Sequence, residues 1–164
     1  MTIPFAGSRF RQSIHVDLDP GATVVLWEAT ASGHVARDER WAFASYENKI
    51  VIRTASGQSV VERLSVTPDS IGATVKSRDY VGSLFVVGDS MEQGRLSALE
   101  SVLVELCEHQ PVELRGGVFR PAVPGLVVKV VERSAPVLQA FQDSDWTSMR
   151  ACPWDLPAPA LRKY

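Results

Sequence analysis

Between residues 26 and 53 the chain reads LWEATASGHVARDERWAFASYENKIVIR: a strand, a turn crowded with charge and aromatics, and a strand again. The turn holds Gly33, His34, Arg37, Asp38, Glu39, Arg40 and Trp41. An imidazole followed by two carboxylates is a donor set that a divalent cation can use. The plainer alternative makes His34 a polar loop residue and pairs the two carboxylates with Arg37 and Arg40. Glu28 is the second oddity, because it interrupts the apolar strand VVLWEATA. A carboxylate there has to be paired or hydrogen-bonded, since its desolvation is costly. Arg37 or Arg40 across the turn is the expected partner. Either Glu28 faces solvent on a sheet edge, or a polar passage or interface runs through the sheet. Trp27 and Trp41 read as core or interface aromatics.

Other chemistry finds little support. There is no GxxxxGK[ST] phosphate loop, no GxSxG, and no HxxxH or HExxH. Gly116-Gly117 is an isolated pair, expected to form a strand bulge rather than an anion cradle. His15 falls on the polar face of a strand. His109 falls at a helix C-terminus, where an imidazolium complements the dipole. Cys107 lies close to it in sequence, but two helical positions separate their directions by about 200°, which argues against shared ligation. Cys107 and Cys152 form no CxxC unit and read as free thiols.

The elements that position these residues follow from periodicity. Residues 8 to 18 alternate, with Phe10, Ile14, Val16 and Leu18 on one face and Gln12 among them, so they form a strand with one buried face. Asp19-Pro20-Gly21 turns the chain, and residues 22 to 30 return as a second strand. Trp41 to Tyr46 reads as a third strand, continued by or followed by Lys49 to Thr54. Ser56-Gly57 signals a hairpin leading to Val60–Val66. Strands at this spacing predict an antiparallel meander. Residues 67 to 79 read as loop, and Tyr80–Val87 as strand. Leucines at 96, 99, 103 and 106 mark an amphipathic helix from 95 to 109. Val112–Phe119 and Leu126–Glu132 are further strands. Ser134 is a candidate N-cap for a second helix running to about residue 150. The proline-rich tail after Cys152 is expected to lie extended. The class is therefore mainly β, an antiparallel multi-strand scaffold with two helices near the C-terminus.

At 164 residues with a formal net charge of −2, the chain suits one domain with a real core. It offers no general basic surface for nucleic acid. It has no apolar run of about 18 residues to span a membrane, and its N-terminus lacks an apolar stretch of signal-peptide length, so a cytoplasmic location is expected.

Ordered phrases along the chain resemble the urease accessory protein family UreD. The family's "GARxRQ…xL…GA" corresponds to Gly7-Ser8-Arg9-Phe10-Arg11-Gln12 and Pro20-Gly21-Ala22. Its "WE…GRxAxGERWxF" corresponds to Trp27-Glu28, then Gly33-His34-Val35-Ala36-Arg37-Asp38-Glu39-Arg40-Trp41-Ala42-Phe43. The LFVVG strand, the region of Trp146 and Arg150, and the terminal Leu161-Arg162-Lys163-Tyr164 extend the likeness over nearly the whole chain. His34 replaces the family's arginine, and Asp38 replaces its glycine, a change that Asp tolerates if φ is positive. Residues 1–164 thus resemble a single UreD-like domain without the family's N-terminal half.

That resemblance implies a stacked, β-helix-like scaffold that is not an enzyme. It would join UreF and UreG on apo-urease and help deliver nickel to the urease active site, with no tightly bound cofactor and nickel held only transiently. Glu28, His34 and Glu39 are then candidates for a nickel passage, where oxygen ligands hold the ion weakly enough to release it. Arg37, Arg40 and Trp41 would position the turn, and the two helices are candidates for docking UreF. Two other readings remain open. One is a β-rich hydrolase using Glu28 and Glu39, which needs both carboxylates in one cleft at about 5 to 10 Å. The other is a non-functional structural remnant of a longer protein.

Overall fold

The alternating residues Arg9–Asp17 form β1, with Phe10, Gln12, Ile14 and Val16 turned inward and the intervening residues exposed. A computed structural model describes residues 1–89, 91–109 and 114–154. In chain order the further elements are β2 (Thr23–Ala31), β3 (Gly33–His34), a 3-10 turn (Val35–Arg37), β4 (Glu39–Arg40), β5 (Ser45–Arg53) and β6 (Ser59–Val66). They continue with α1 (Ala73–Lys76), β7 (Tyr80–Gly88), α2 (Gln93–Glu108), β8 (Arg115–Phe119), β9 (Gly125–Glu132) and α3 (Ala135–Trp154).

The strands form a three-stranded sheet, β1-β5-β6, a four-stranded sheet, β2-β7-β9-β8, and the small pair β3-β4. The two larger sheets stack face to face. Ile50 and Ile52 of one meet Phe85, Val87 and Val127 of the other in a single apolar cluster. The outer side of the four-stranded sheet is covered by α2 and α3, through Leu84, Val86, Leu126, Val128 and Val130 against Leu99, Leu103, Leu138 and Phe141. The chain is mainly β with mostly antiparallel pairing, as the periodicity predicts.

Several local expectations change. β1 and β2 do not form a hairpin. The turn at Asp19–Ala22, with Gly21 at φ 79, hands the chain from one sheet to the other. β1 instead pairs in parallel with β5, from Arg9 opposite Ser45 to Asp17 opposite Arg53. The gain is burial between the sheets: Ile14 and Val16 of one sheet and Val24 and Leu26 of the other pack against the same apolar cluster. The expected strand from Trp41 to Tyr46 is broken by Trp41 itself, at φ 54, and β5 starts only at Ser45. The expected loop 67–79 contains the single-turn helix α1.

Gly116 and Gly117 pair regularly with Val130 and Lys129, so there is no bulge. A Cβ at Gly116 would lie 2.7 Å from Val130 Cγ1 and 3.3 Å from Cys107 Sγ, so this glycine answers close packing of α2 on β8. Cys107 is a free thiol. α3 runs through Cys152 and Pro153 to Trp154, beyond the expected end near residue 150. Proline's fixed φ is helical, and in a final turn its missing N–H breaks only one bond. The extended course expected for the tail falls on residues 155–164, outside the described residues, as do residues 112 and 113 of the expected strand Val112–Phe119.

His109 caps α2, its backbone N–H and its Nδ1 at 3.0 and 2.9 Å from the Glu105 carbonyl. His15 is exposed on β1, 2.8 Å from Ser13 Oγ. Ser134 leads into α3 and its carbonyl accepts from Leu138 N–H, but the Glu132 carboxylate also serves that end, accepting from the amides of Arg133 and Ser134 at 2.7 and 3.0 Å. No helix among the described residues is long and apolar enough to cross a membrane.

Candidate functional site: a polar layer between the sheets

Each strand of the stacked sheets except the edge strand β8 turns one polar residue inward at mid-height. β1 supplies Gln12, β2 Glu28, β5 Asn48, β6 Glu62, β7 Ser83 and β9 Lys129. Register aligns them: Gln12 lies opposite Asn48, and Glu28, Ser83 and Lys129 form one row across the four-stranded sheet. The layer divides the inter-sheet core in two. Beyond one side lies the aliphatic cluster around Ile50, Ile52, Phe85 and Val87. Beyond the other lies the aromatic cluster of Trp41, Phe43 and Tyr46, with Phe10 stacked on Tyr46 at 5.2 Å.

These groups hydrogen-bond across the gap. The Tyr46 hydroxyl on β5 donates to Glu28 Oε1 on β2 at 3.1 Å, and Thr30 Oγ1 donates to the same oxygen at 3.0 Å. The two hydroxyl oxygens lie 2.6 Å apart, so their two protons are shared among the three contacts. Glu28 therefore takes neither Arg37 nor Arg40 as its partner, and the expected ion pair across the turn is replaced by two hydroxyl donors from the sandwich interior. Burial above all, with the Glu28 carboxylate adding to it, pushes the Tyr46 phenol up to about 12. At the other end Lys129 Nζ lies 2.5 Å from Glu62 Oε1, donates to Ser83 Oγ at 3.0 Å, and sits 5.2 Å from the centre of the Phe85 ring. Gln12 Nε2 donates to Asn48 Oδ1 at 3.4 Å. Interior polar groups must find such partners or lose stability.

The charged turn sits beside the Glu28 end. β3 and β4 pair Gly33 with Arg40 and His34 with Glu39, so His34 and Glu39 lie opposite each other. Gly33 is required here: its φ is 149, and a Cβ would fall 2.0 Å from the Glu39 carbonyl oxygen. Asp38, standing where the resemblance expects glycine, adopts the left-handed conformation at φ 61. His34 Nδ1 is buried without a hydrogen-bond partner among the described residues, and Phe5 meets the ring edge-on at 6.0 Å.

Arg40 binds Asp79 at 2.7 Å and also Asp38, tying the turn to the start of β7. Trp41 is buried and donates from Nε1 to the Lys76 carbonyl at 3.3 Å, while Arg37 is exposed at the end of the 3-10 turn. Among the described residues no three of His, Cys, Asp and Glu gather in a metal-binding arrangement. The structure thus joins His34 to Glu39, and joins Glu28 to a different set of partners.

The family model described as "UreD urease accessory protein" matches residues 1–163. The chain belongs to the UreD family. Its relatives include UreD of Haloarcula marismortui, 30% identical over 99% of this chain and 54% of that protein, and UreD 2 of Streptomyces griseus, 32% identical over 98% and 56%. UreD of an Anaeromyxobacter species is 29% identical over 84% of this chain and 46% of that protein. The chain spans about half the length of the curated UreD relatives it matches.

Sequence reasoning named Glu28 but missed Asn48, Glu62, Ser83 and Lys129 as parts of the layer, and Tyr46 and Thr30 as the partners of Glu28. A signal was present. Gln12, Glu62 and Lys129 each occupy an inward position of an otherwise apolar strand face.

Proposed function

We propose that this UreD-family chain acts in urease maturation as a non-catalytic scaffold in the cytoplasm. On this reading it joins UreF and UreG on apo-urease and helps pass nickel toward the urease active site, holding the ion only transiently. The observation that carries the reading is the polar layer. Six inward strand positions that could be apolar carry polar or charged side chains, Asn48 and Ser83 buried, Gln12 and Glu28 half-buried, and Glu62 and Lys129 at the partly exposed rim. Oxygen donors met one or two at a time suit an ion that must move on, whereas a site with three or four fixed ligands would retain it. Glu28 is the candidate passage residue within the layer. His34, with a ring nitrogen unbonded, and Glu39 opposite it are candidates at the adjoining turn. Arg40 and Trp41 would hold that turn in place, and Arg37 is available to a partner. The outward faces of α2 and α3 are candidates for the UreF contact.

The test is co-purification from cells expressing the tagged chain with UreF, UreG and apo-urease, coupled to the nickel content of the recovered urease. The reading expects a complex that needs the chain and urease that loads with nickel in its presence. Urease that loads equally without the chain would overturn it.

A further inference from the structure

The outer face of the three-stranded sheet is basic in a chain whose net charge is negative. Five of the 17 lysines and arginines project there, namely Arg9, Arg11, Lys49, Arg53 and Arg63, against only Asp17 and Glu47 of the 19 acidic residues. Those two carboxylates are both engaged, Glu47 with Arg11 at 2.9 Å and Asp17 with Arg53 at 3.3 Å. At the centre of the face Lys49 and Arg63 lie directly opposite each other on β5 and β6, with Ser13 of β1 completing the row. Like charges in directly opposed strand positions repel. Neither cation has a carboxylate partner among the described residues. The row lines a shallow depression of about 440 Å³. The next row holds exposed His15 of β1, buried Val51 and Val61, the last 59% exposed.

We infer that this face docks an acidic segment of a partner protein, one of whose carboxylates enters between Lys49 and Arg63. Charge complementarity names the partner's sign. Exposed Val61 beside the row favours a polypeptide, which can bring an apolar side chain next to its carboxylate, over a polyphosphate or nucleic acid backbone, whose closely spaced charges gain nothing there. The inference stands apart from the nickel reading, since none of these residues belongs to the polar layer or to the turn.

The experiment measures binding of a short fluorescent poly-glutamate peptide to the full chain by anisotropy, with inorganic polyphosphate as competitor. Lys49→Glu turns the repelling pair into an attracting one. It is expected to weaken peptide binding about tenfold while leaving thermal stability unchanged or raised. Lys49→Gln with Arg63→Gln should weaken binding without reversing charge, and Arg115→Glu, on β8 of the other sheet, should leave it intact. Binding that falls with added salt in the parent chain is expected as well. Equal binding by the parent and both Lys49 variants, equal loss in Arg115→Glu, absence of binding by the full chain, tighter binding of polyphosphate, or a dimer of this chain that dissolves in the Lys49 variants would each overturn the inference.

Discussion

On its outer side the four-stranded sheet meets α2 and α3 through Leu84, Val86, Leu126, Val128 and Val130, aliphatic at these contacts. On its inner side the same strands place Glu28, Ser83 and Lys129 at mid-height. Alternation makes this possible, because adjacent residues of one strand serve opposite faces. The contrast separates two tasks. The helix-covered face supplies stability in proportion to the apolar area it removes from water. The inter-sheet face sacrifices part of that return for a line of hydrogen-bonding groups, and such a line is where a function is most economically placed.

The largest expected effect falls on the helix side. Phe141 is fully buried and packs near Trp27 at 6.1 Å between ring centres. Phe141→Ala should cost about 3–5 kcal/mol of unfolding free energy, read from urea denaturation. A loss below the cost of any polar-layer substitution would break the comparison.

Tyr46→Phe comes next, on the inner side. It keeps the ring and its stacking on Phe10 but removes the donor to Glu28, leaving Thr30 to serve that carboxylate. The expected cost is about 1–2 kcal/mol by the same measurement.

Two carboxylates are fully buried on the helix side, Glu132, which serves the start of α3, and Asp145. The latter lies on α3, and neither of its carboxylate oxygens has a hydrogen-bond partner among the described residues. Burial raises it from an ordinary 3.8 to about 8. Because the folded carboxyl holds its proton to higher pH than the unfolded one, its contribution is fully present below about pH 4 and is lost as pH rises to about 8. Asp145→Asn should flatten that decline and make the protein more stable at the alkaline end, with little change at the acidic end. Denaturation midpoints across this range check it, and an unaltered slope would show that another group governs the pH dependence.

The smallest effect belongs to the rim of the polar layer. Lys129 and Glu62 have side chains about a third exposed, so a double-mutant cycle should give a coupling of about 1 kcal/mol or less. A coupling of several kcal/mol would mean that the layer is a structural clamp rather than a site.

Most elements were legible because periodicity is local. Gln93–Glu108 announces itself through Leu96, Leu99 and Leu103, and Arg9–Asp17 through strict alternation. Pairing was less so: nothing in the period of Arg9–Asp17 says that its partner is Ser45–Arg53, reached only after the chain has built an edge of the other sheet. The same limit hid the polar layer. Gln12, Glu62 and Lys129 were each visible as polar residues on an apolar face, but their gathering at one level depends on three separate registers. Asp145 carried its own signal, four residues after Phe141 and four before Met149 on one helical stripe. Glu28 was recognisable as misplaced, yet its partners Tyr46 and Thr30 could come only from the folded sandwich.

The most direct test of the polar layer as a working site is Glu28→Gln made in the native gene, with the nickel content of the cell's urease as the readout. Gln keeps an acceptor for Tyr46 and Thr30 while removing the charge, so the protein should retain its abundance and thermal midpoint. The account predicts urease with severalfold less nickel at limiting supply. Full nickel loading in a folded Glu28→Gln variant would contradict it and return the layer to structure alone.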